Sequence, residues 1–215
     1  MKACTGKMFL KDVAGHKMTV LLDQGVHRSI RFAAEGKNSY FNHFVLTTWP
    51  WHLCISGDMG TFVFNRLEDM FEFFRTPSDK PGLYINTGYW EEKCEASDRR
   101  TNGTRVYDAD RFKECVMDRF KEHEFDNRKA KASCLEQLKE EVLYAENEYE
   151  AHTLASRFRF YANPADEFNR ERHPDFELTD FWECELKEYT YHYVWCCYAI
   201  AWGIRQYDKA KEVKP

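Results

Sequence analysis

The chain has 215 residues, 43% apolar and 16% aromatic, with 17 Phe, 12 Tyr and 6 Trp. That length suits one large domain or two small ones with a real core, and the apolar content excludes a mainly disordered chain. The net charge is −5, and no basic face is evident of the kind that displaces counterions from phosphates, so direct nucleic-acid binding is not expected.

Charge is unevenly spread. Residues 1–90 carry 10 basic and 8 acidic side chains, residues 91–150 carry 12 and 17, residues 166–188 carry 3 and 9, and the last 27 carry 4 and 2. A near-neutral first part is thus followed by an acidic one. Such a surface can meet a basic partner, including the nucleic-acid groove of another protein, or it can be an ordinary solvated helix face. The N-terminal run MKACTGKMFLKDVAGHK shows no apolar stretch after its charges, so no signal peptide is expected. Eight cysteines without framework spacing suit a reducing compartment, where they act as small buried apolar groups. The expected location is the cytoplasm, and the Asn102-Gly103-Thr104 sequon then carries no meaning.

In chain order, residues 8–15 can form a short opening helix. Alternation follows: Met18, Val20 and Leu22 share one strand face, and after Asp23-Gln24-Gly25 so do Val26, Ile30 and Phe32. Gly36-Lys37-Asn38-Ser39 reads as a turn. Tyr40 to Thr48, rich in aromatic and β-branched residues, reads as a third strand, ended by Trp49-Pro50 because proline cannot donate to a ladder. Leu53–Ser56 and Thr61–Phe64 make a further pair around Gly57-Asp58-Met59-Gly60. Short turns between consecutive strands predict an antiparallel meander.

Asn65 can then cap a helix, with Glu68 completing a capping box and Leu67, Met70, Phe71 and Phe74 forming one apolar stripe. Pro77 to Gly82 breaks the chain. Tyr89 to Ala96 reads as a short helix, and Asp108 or Asp110 can cap another that buries Phe112, Val116 and Phe120. Leu135, Leu138, Val142, Ala145, Tyr149 and His152 alternate spacings of three and four, as one long helix or two broken near Asn147. Asn163-Pro164 is a cap followed by proline at the first helical position, and Thr179 can cap another start. The final run, Tyr189 to Tyr207, falls short of the ~20 apolar residues of a membrane span and reads as a core helix.

These elements predict an α+β fold. An N-terminal antiparallel sheet of four or five strands with its capped helix occupies residues 1–78, and a helical part packs on it over residues 83–215; a single domain is the alternative division.

Candidate chemistry is sparse. Gly57-Asp58-Met59-Gly60 could take positive φ and point amides at an anion, with Asp58 as base or ligand and His52 beside it. Against this, no helix N-terminus follows directly, and a hairpin turn explains the same residues. Arg75 is a further candidate for that site. His43, His52 and Cys54 lack paired zinc spacings, Cys196-Cys197 is vicinal on a helix, and no CxxC or HExxH occurs. No metal or cofactor is therefore expected, and no catalytic residue is assigned. His192, in an aromatic helix, reads as a core histidine. Trp49 and Trp51, where a strand leaves the sheet, and Glu136 and Glu140, on the acidic helices, are the candidate partner-binding residues.

Several islands resemble a family of uncharacterised proteins encoded by phages and prophages. They are Trp49-Pro50-x-x-Leu53, Ser56-Gly57-Asp58-Met59-Gly60-x-Phe62-Val63-Phe64, Asp69-Met70-Phe71-Glu72-Phe73-Phe74-Arg75, Gly88-Tyr89-Trp90-x-x-Lys93, and Trp195 to Gly203. The resemblance covers about a quarter of the chain and brings no catalytic residues. It implies a phage-borne accessory protein in the bacterial cytoplasm that occupies a host protein surface, as anti-CRISPR inhibitors do, without enzymatic activity. Its expected partner is a bacterial protein or protein–nucleic-acid complex; no membrane partner is expected, and a homodimer is compatible. The rival reading is an enzyme that binds or hydrolyses a nucleotide or phosphoester at Gly57–Gly60.

Overall fold

The computed structural model describes residues 3–36, 39–77, 80, 82–169 and 172–212. Lys37 and Asn38 of one expected turn, and Ser78, Asp79 and Pro81 of the expected break, lie outside them. The fold is α+β, and it divides into two compact units, residues 1–106 with 189–215, and residues 107–188.

The first unit is built on a six-stranded antiparallel meander in sequence order: β1 (His16–Gln24), β2 (His27–Ala34), β3 (Phe44–Trp49), β4 (His52–Gly57), β5 (Gly60–Asn65) and β6 (Cys94–Ser97). Alternation places Phe44 and Leu46, Leu53 and Ile55, and Phe62 and Phe64 on one buried face. The register lines up Ile30, Leu46, Ile55 and Phe62 as one apolar row across four strands. Strand β6 adds to the expected four or five. Its residues Cys94-Glu95-Ala96-Ser97 favour strands weakly, and pairing with β5 rather than local propensity extends them.

Helix α1 (Gly6–Asp12) starts two residues earlier than expected, where Thr5 Oγ1 accepts the Met8 N–H. Helix α2 (Met70–Phe74) starts later. Asn65 remains in β5, and its side chain goes to His52, so Asp69 caps instead by accepting the Phe71 N–H at 2.9 Å. The stripe loses Leu67, which is exposed, and keeps Met70, Phe71 and Phe74. Asp69 also takes both Nη atoms of Arg28 at 2.8 Å, and the guanidinium lies 4.6 Å over the Phe71 ring. Helix α3 (Thr87–Glu91) is short and is followed by β6 and then by a three-residue strand, β7 (Arg105–Tyr107).

Helix α7 (Tyr191–Glu212) covers the buried sheet face. Its first turn is closed by Thr190, whose hydroxyl accepts the Tyr193 N–H and donates to Gly103 O. Trp195, Trp202, Phe9, Phe32 and Phe44 form edge-to-face and stacked contacts with centroids 4.7 to 6.3 Å apart. No helix among the described residues is long and apolar enough to cross a membrane. The compact units therefore divide the chain differently from a cut at residues 78–83: so apolar a helix needs a sheet face to bury against, and it returns to the first unit.

The second unit contains α4 (Ala109–Glu122), α5 (Arg128–Glu141), α6 (Glu148–Arg157) and a short ladder of β8 (Arg159–Phe160) with β9 (Phe176–Glu177). Asp108, Asn127 and Asn147 cap the three helices through their side chains. The break near Asn147 is real. Asn163 caps a 3-10 turn with Pro164 in its first position. Thr179 caps nothing; the 3-10 turn Phe181–Glu183 starts from Asp180 in the left-handed region, with no side-chain cap.

Two outcomes test this packing. A Cβ on Gly203 would lie 2.9 Å from Leu46 Cδ1 and 3.1 Å from the Phe32 ring, both wholly buried. Gly203→Val should therefore lower stability by about 1–3 kcal/mol, read from chemical denaturation, despite valine's better helix propensity. Burial alone would raise the Asp69 carboxyl, but the Arg28 pair and the Phe71 N–H outweigh it and hold the pKa below the ordinary range. A carboxylate lowered on folding stabilises above its unfolded pKa and loses that contribution as pH falls through the folded value. Between about pH 5 and pH 2 the wild type should lose more stability than Asp69→Asn.

Candidate functional site

The Gly57–Gly60 turn joins β4 to β5, and local packing accounts for both glycines and for Asp58. A Cβ on Gly57 would sit 2.2 Å from His43 O and 2.8 Å from Phe44 Cα, so only glycine allows that backbone approach. One on Gly60, at φ +99°, would meet the Thr101 side chain at 2.8 Å. Asp58 donates its N–H to His43 O, and its Oδ2 accepts the Asn42 N–H at 2.9 Å. That acceptor holds Asn42 in the left-handed region at φ 53°.

His52 is not brought to this loop. It begins β4, whereas the loop follows the strand's other end, about 20 Å away at strand rise. Its Nδ1 lies 2.9 Å from Pro50 O, its Nε2 lies 3.0 Å from Asn65 Nδ2 and 3.3 Å from Glu95 Oε2, and its ring stacks on Trp49 at 4.9 Å. A ring donating from Nδ1 satisfies the contact with the Pro50 carbonyl. Arg75 is also elsewhere, in a two-bond pair with Asp208. Among the described residues no group of three or more His, Cys, Asp or Glu side chains is placed to hold a metal.

Trp49 and Trp51 flank Pro50 in the β3–β4 turn. Trp51 takes φ 73°, where glycine or asparagine is usual, and is 52% exposed. Its N–H and carbonyl are held by Glu68 O and the Arg66 N–H. Glu136 and Glu140 lie in the second unit on α5. Glu136 pairs with Lys139 at 2.8 Å, and both glutamates border a hollow closed by Phe160, Tyr161 and Pro164.

A second-unit groove of about 700 Å³ was not foreseen. One wall is a face of α6, where Glu148, His152 and Ser156 recur every four residues with Tyr149 and Thr153 beside them. The opposite wall is Glu177 to Trp182, and Arg159 and Glu177 are paired at 2.8 Å. Its rim holds Tyr149, 82% exposed, and Trp182, 70% exposed. Arg119 on α4 ties the second wall down, donating to the carbonyls of Thr179 and Asp180 and lying over the Phe181 ring. Three carboxylates, Glu148, Glu177 and Asp180, line it, with Glu177 paired to Arg159 and Glu148 to Lys187 at 2.9 Å, which leaves a modest negative balance.

Tyr149 escaped the sequence reading because it fits the three-and-four spacing that runs from Leu135. The break at Asn147 resets the helix phase, so α6 buries Ala151 and Ala155 and turns Tyr149 outward. For Trp182 no local signal distinguishes exposure from burial.

Gly57→Ala should be poorly tolerated because its Cβ meets backbone, whereas Asp58→Ala should cost about 1 kcal/mol, the worth of one exposed hydrogen bond. Thermal melts of the two variants check the order. No protein-family model matches the chain, and neither a curated protein nor a solved structure matches it.

Proposed function

We propose that this chain is a phage-encoded, non-enzymatic accessory protein that inhibits a bacterial host or defence protein by binding it. The acidic second unit supplies the docking face. One observation carries this reading: an acidic groove rimmed by two large exposed aromatics in a unit of strong negative charge. Residues 107–188 hold 22 acidic and 13 basic side chains, a balance of −9, while the rest of the chain holds 14 and 18, a balance of +4. The negative charge of the chain thus belongs to one compact unit.

Exposed Tyr and Trp are the residue types that most often dominate binding energy. Their ring faces also attract cations, by about 0.5–2 kcal/mol depending on desolvation. With Asp180 in the lining and the unit's charge at −9, the groove suits Lys or Arg side chains from a basic surface, such as one that holds nucleic acid in the partner. The acidic field would speed association at low salt and make it salt-sensitive. The phage resemblance supplies the bacterial setting. Location in the cytoplasm of the infected cell belongs to the same proposal.

In a pull-down from phage-infected or defence-bearing cells, the wild type should retain a basic bacterial protein. The Tyr149→Ala/Trp182→Ala variant should weaken retention at least tenfold, about 1.4 kcal/mol or more, with the fold intact by circular dichroism. Trp51→Ala serves as the comparison on the first unit. Retention unchanged in the groove variant but lost in Trp51→Ala would move the docking face to the β3–β4 turn. A nucleotide that raises the melting temperature of the wild type and not of Asp58→Ala would favour the enzyme reading instead.

A further inference from the structure

A pocket in the first unit has the opposite charge character to the groove. It measures about 350 Å³ and lies between the chain that follows α2 and the last turns of α7. Among the described residues its lining holds four basic side chains, Arg75, Lys80, Arg205 and Lys209, against the carboxylates of Asp208 and Glu212. Arg205 and Lys209 stand four residues apart on α7 and so share one face of the helix. Both are exposed, and neither has an ion pair among the described residues.

The other wall is set in place by the fold. Arg75 Nε donates to Asp208 Oδ2 at 2.9 Å, and its Nη2 donates to Asp208 Oδ1 at 3.0 Å. Two bonds to one carboxylate fix the guanidinium plane and leave Nη1 for another acceptor. Next in the chain, Thr76 Oγ1 is buried and has no hydrogen-bond partner among the described residues. A hydroxyl removed from water without a partner costs stability, and the fold itself supplies no acceptor for this one. Ala201 and Ile204, both buried, give the lining an apolar stretch.

We propose that this pocket binds the phosphate group of a small phosphorylated molecule. Arg75, Arg205 and Lys209 carry donors only, and with the Thr76 hydroxyl they offer them from two separate segments. A phosphate dianion has the acceptors and the charge to match such a set, and guanidinium forks suit its geometry. A single carboxylate would leave part of the set unmatched. The volume is at the lower end for small-molecule sites, and it admits a phosphate with a sugar-sized group to lie against Ala201 and Ile204. Glu212 opposes an anion, but it is exposed at the end of α7, where water and salt screen it. Asp208 works differently, because Arg75 matches its charge and takes its orientation from it. The assignment stands on this pocket alone and does not depend on the groove's role in binding.

The test is isothermal titration calorimetry of the full chain with ribose 5-phosphate, with ribose and sodium acetate at matched ionic strength as comparisons. The expected result is saturable binding of ribose 5-phosphate with a Kd of about 1 mM or tighter, and no saturable heat from either comparison. Arg205→Ala/Lys209→Ala should weaken binding about tenfold or more, with the fold intact by circular dichroism. Thr76→Val keeps the shape and removes the unpaired hydroxyl. It should weaken binding while leaving the melting temperature without ligand unchanged or raised. Tyr149→Ala/Trp182→Ala should bind ribose 5-phosphate as the wild type does, which separates this pocket from the groove. The proposal is overturned by no saturable heat up to about 10 mM, far above the expected Kd, or by wild-type affinity in Arg205→Ala/Lys209→Ala. A lowered melting temperature with unchanged affinity in Thr76→Val also overturns it, since the hydroxyl would then serve the fold.

Discussion

Helix α7 must lie almost flat on a sheet face already crowded with aromatic rings, and Gly203 is where this becomes possible. A hydrogen in place of a side chain there lets the helix backbone come down on Leu46 and Phe32. Trp195 and Trp202 then pack edge-on against Phe9 and Phe44. Each edge-to-face pair adds about 0.5–1.5 kcal/mol beyond the area it buries. Moving the helix outward by one methyl group would loosen several of these contacts together. The Arg28–Asp69 pair acts nearby in the same unit, joining β2 to the start of α2, with Tyr207 of α7 also near the guanidinium. Removing one partner of so buried a pair costs more than the pair adds, because the other charge stays behind.

The second unit solves a different problem. Its helices are polar, and the first backbone N–H groups of each need acceptors, which Asp108, Asn127 and Asn147 supply at three successive starts. Side chains that cap cannot also join a core. The apolar residues between them, among them Phe112, Val116, Leu138 and Phe181, form a core of the unit's own. Ring contacts gather where the chain is least regular: His123, Phe125, Phe158 and Phe176 pack around the β8–β9 ladder. A surface left so acidic resists self-association and favours a basic counterpart.

How much of this was legible depended on whether local pattern or distant pairing decided the element. Period-two alternation identified β2 to β5 because each buries one face, and the caps at Asp108 and Asn163 could be read because the capping bond spans two or three residues. Strand β6 could not be read: Cys94 to Ser97 become a strand only through β5, some thirty residues earlier in the chain. The cap at Asn65 was misplaced because the asparagine has a cross-strand partner in His52, a contact invisible to a local rule. The groove was hidden for the same kind of reason. Its walls come from residues 148–159 and 177–182, and a run of correct helical spacing carried Tyr149 into an expected core.

The same reasoning separates the two places where function was sought. At Gly57–Gly60 every unusual feature has a neighbour that requires it: His43 O for one glycine, Thr101 for the other, Asn42 for the carboxylate. Conformational demand alone would select those residues. At the groove the relation is reversed, for nothing in the fold requires Tyr149 or Trp182 to stand 82% and 70% exposed. Exposed rings of that size gain nothing from burial within their own unit. Trp51 is an intermediate case. Its backbone is strained, at a cost of about 1–3 kcal/mol that glycine would avoid, yet half its ring is packed and its amide and carbonyl are both bonded. Strain with partial packing has a structural use; exposure without packing leaves the Tyr149 and Trp182 rings free for the partner proposed for the second unit.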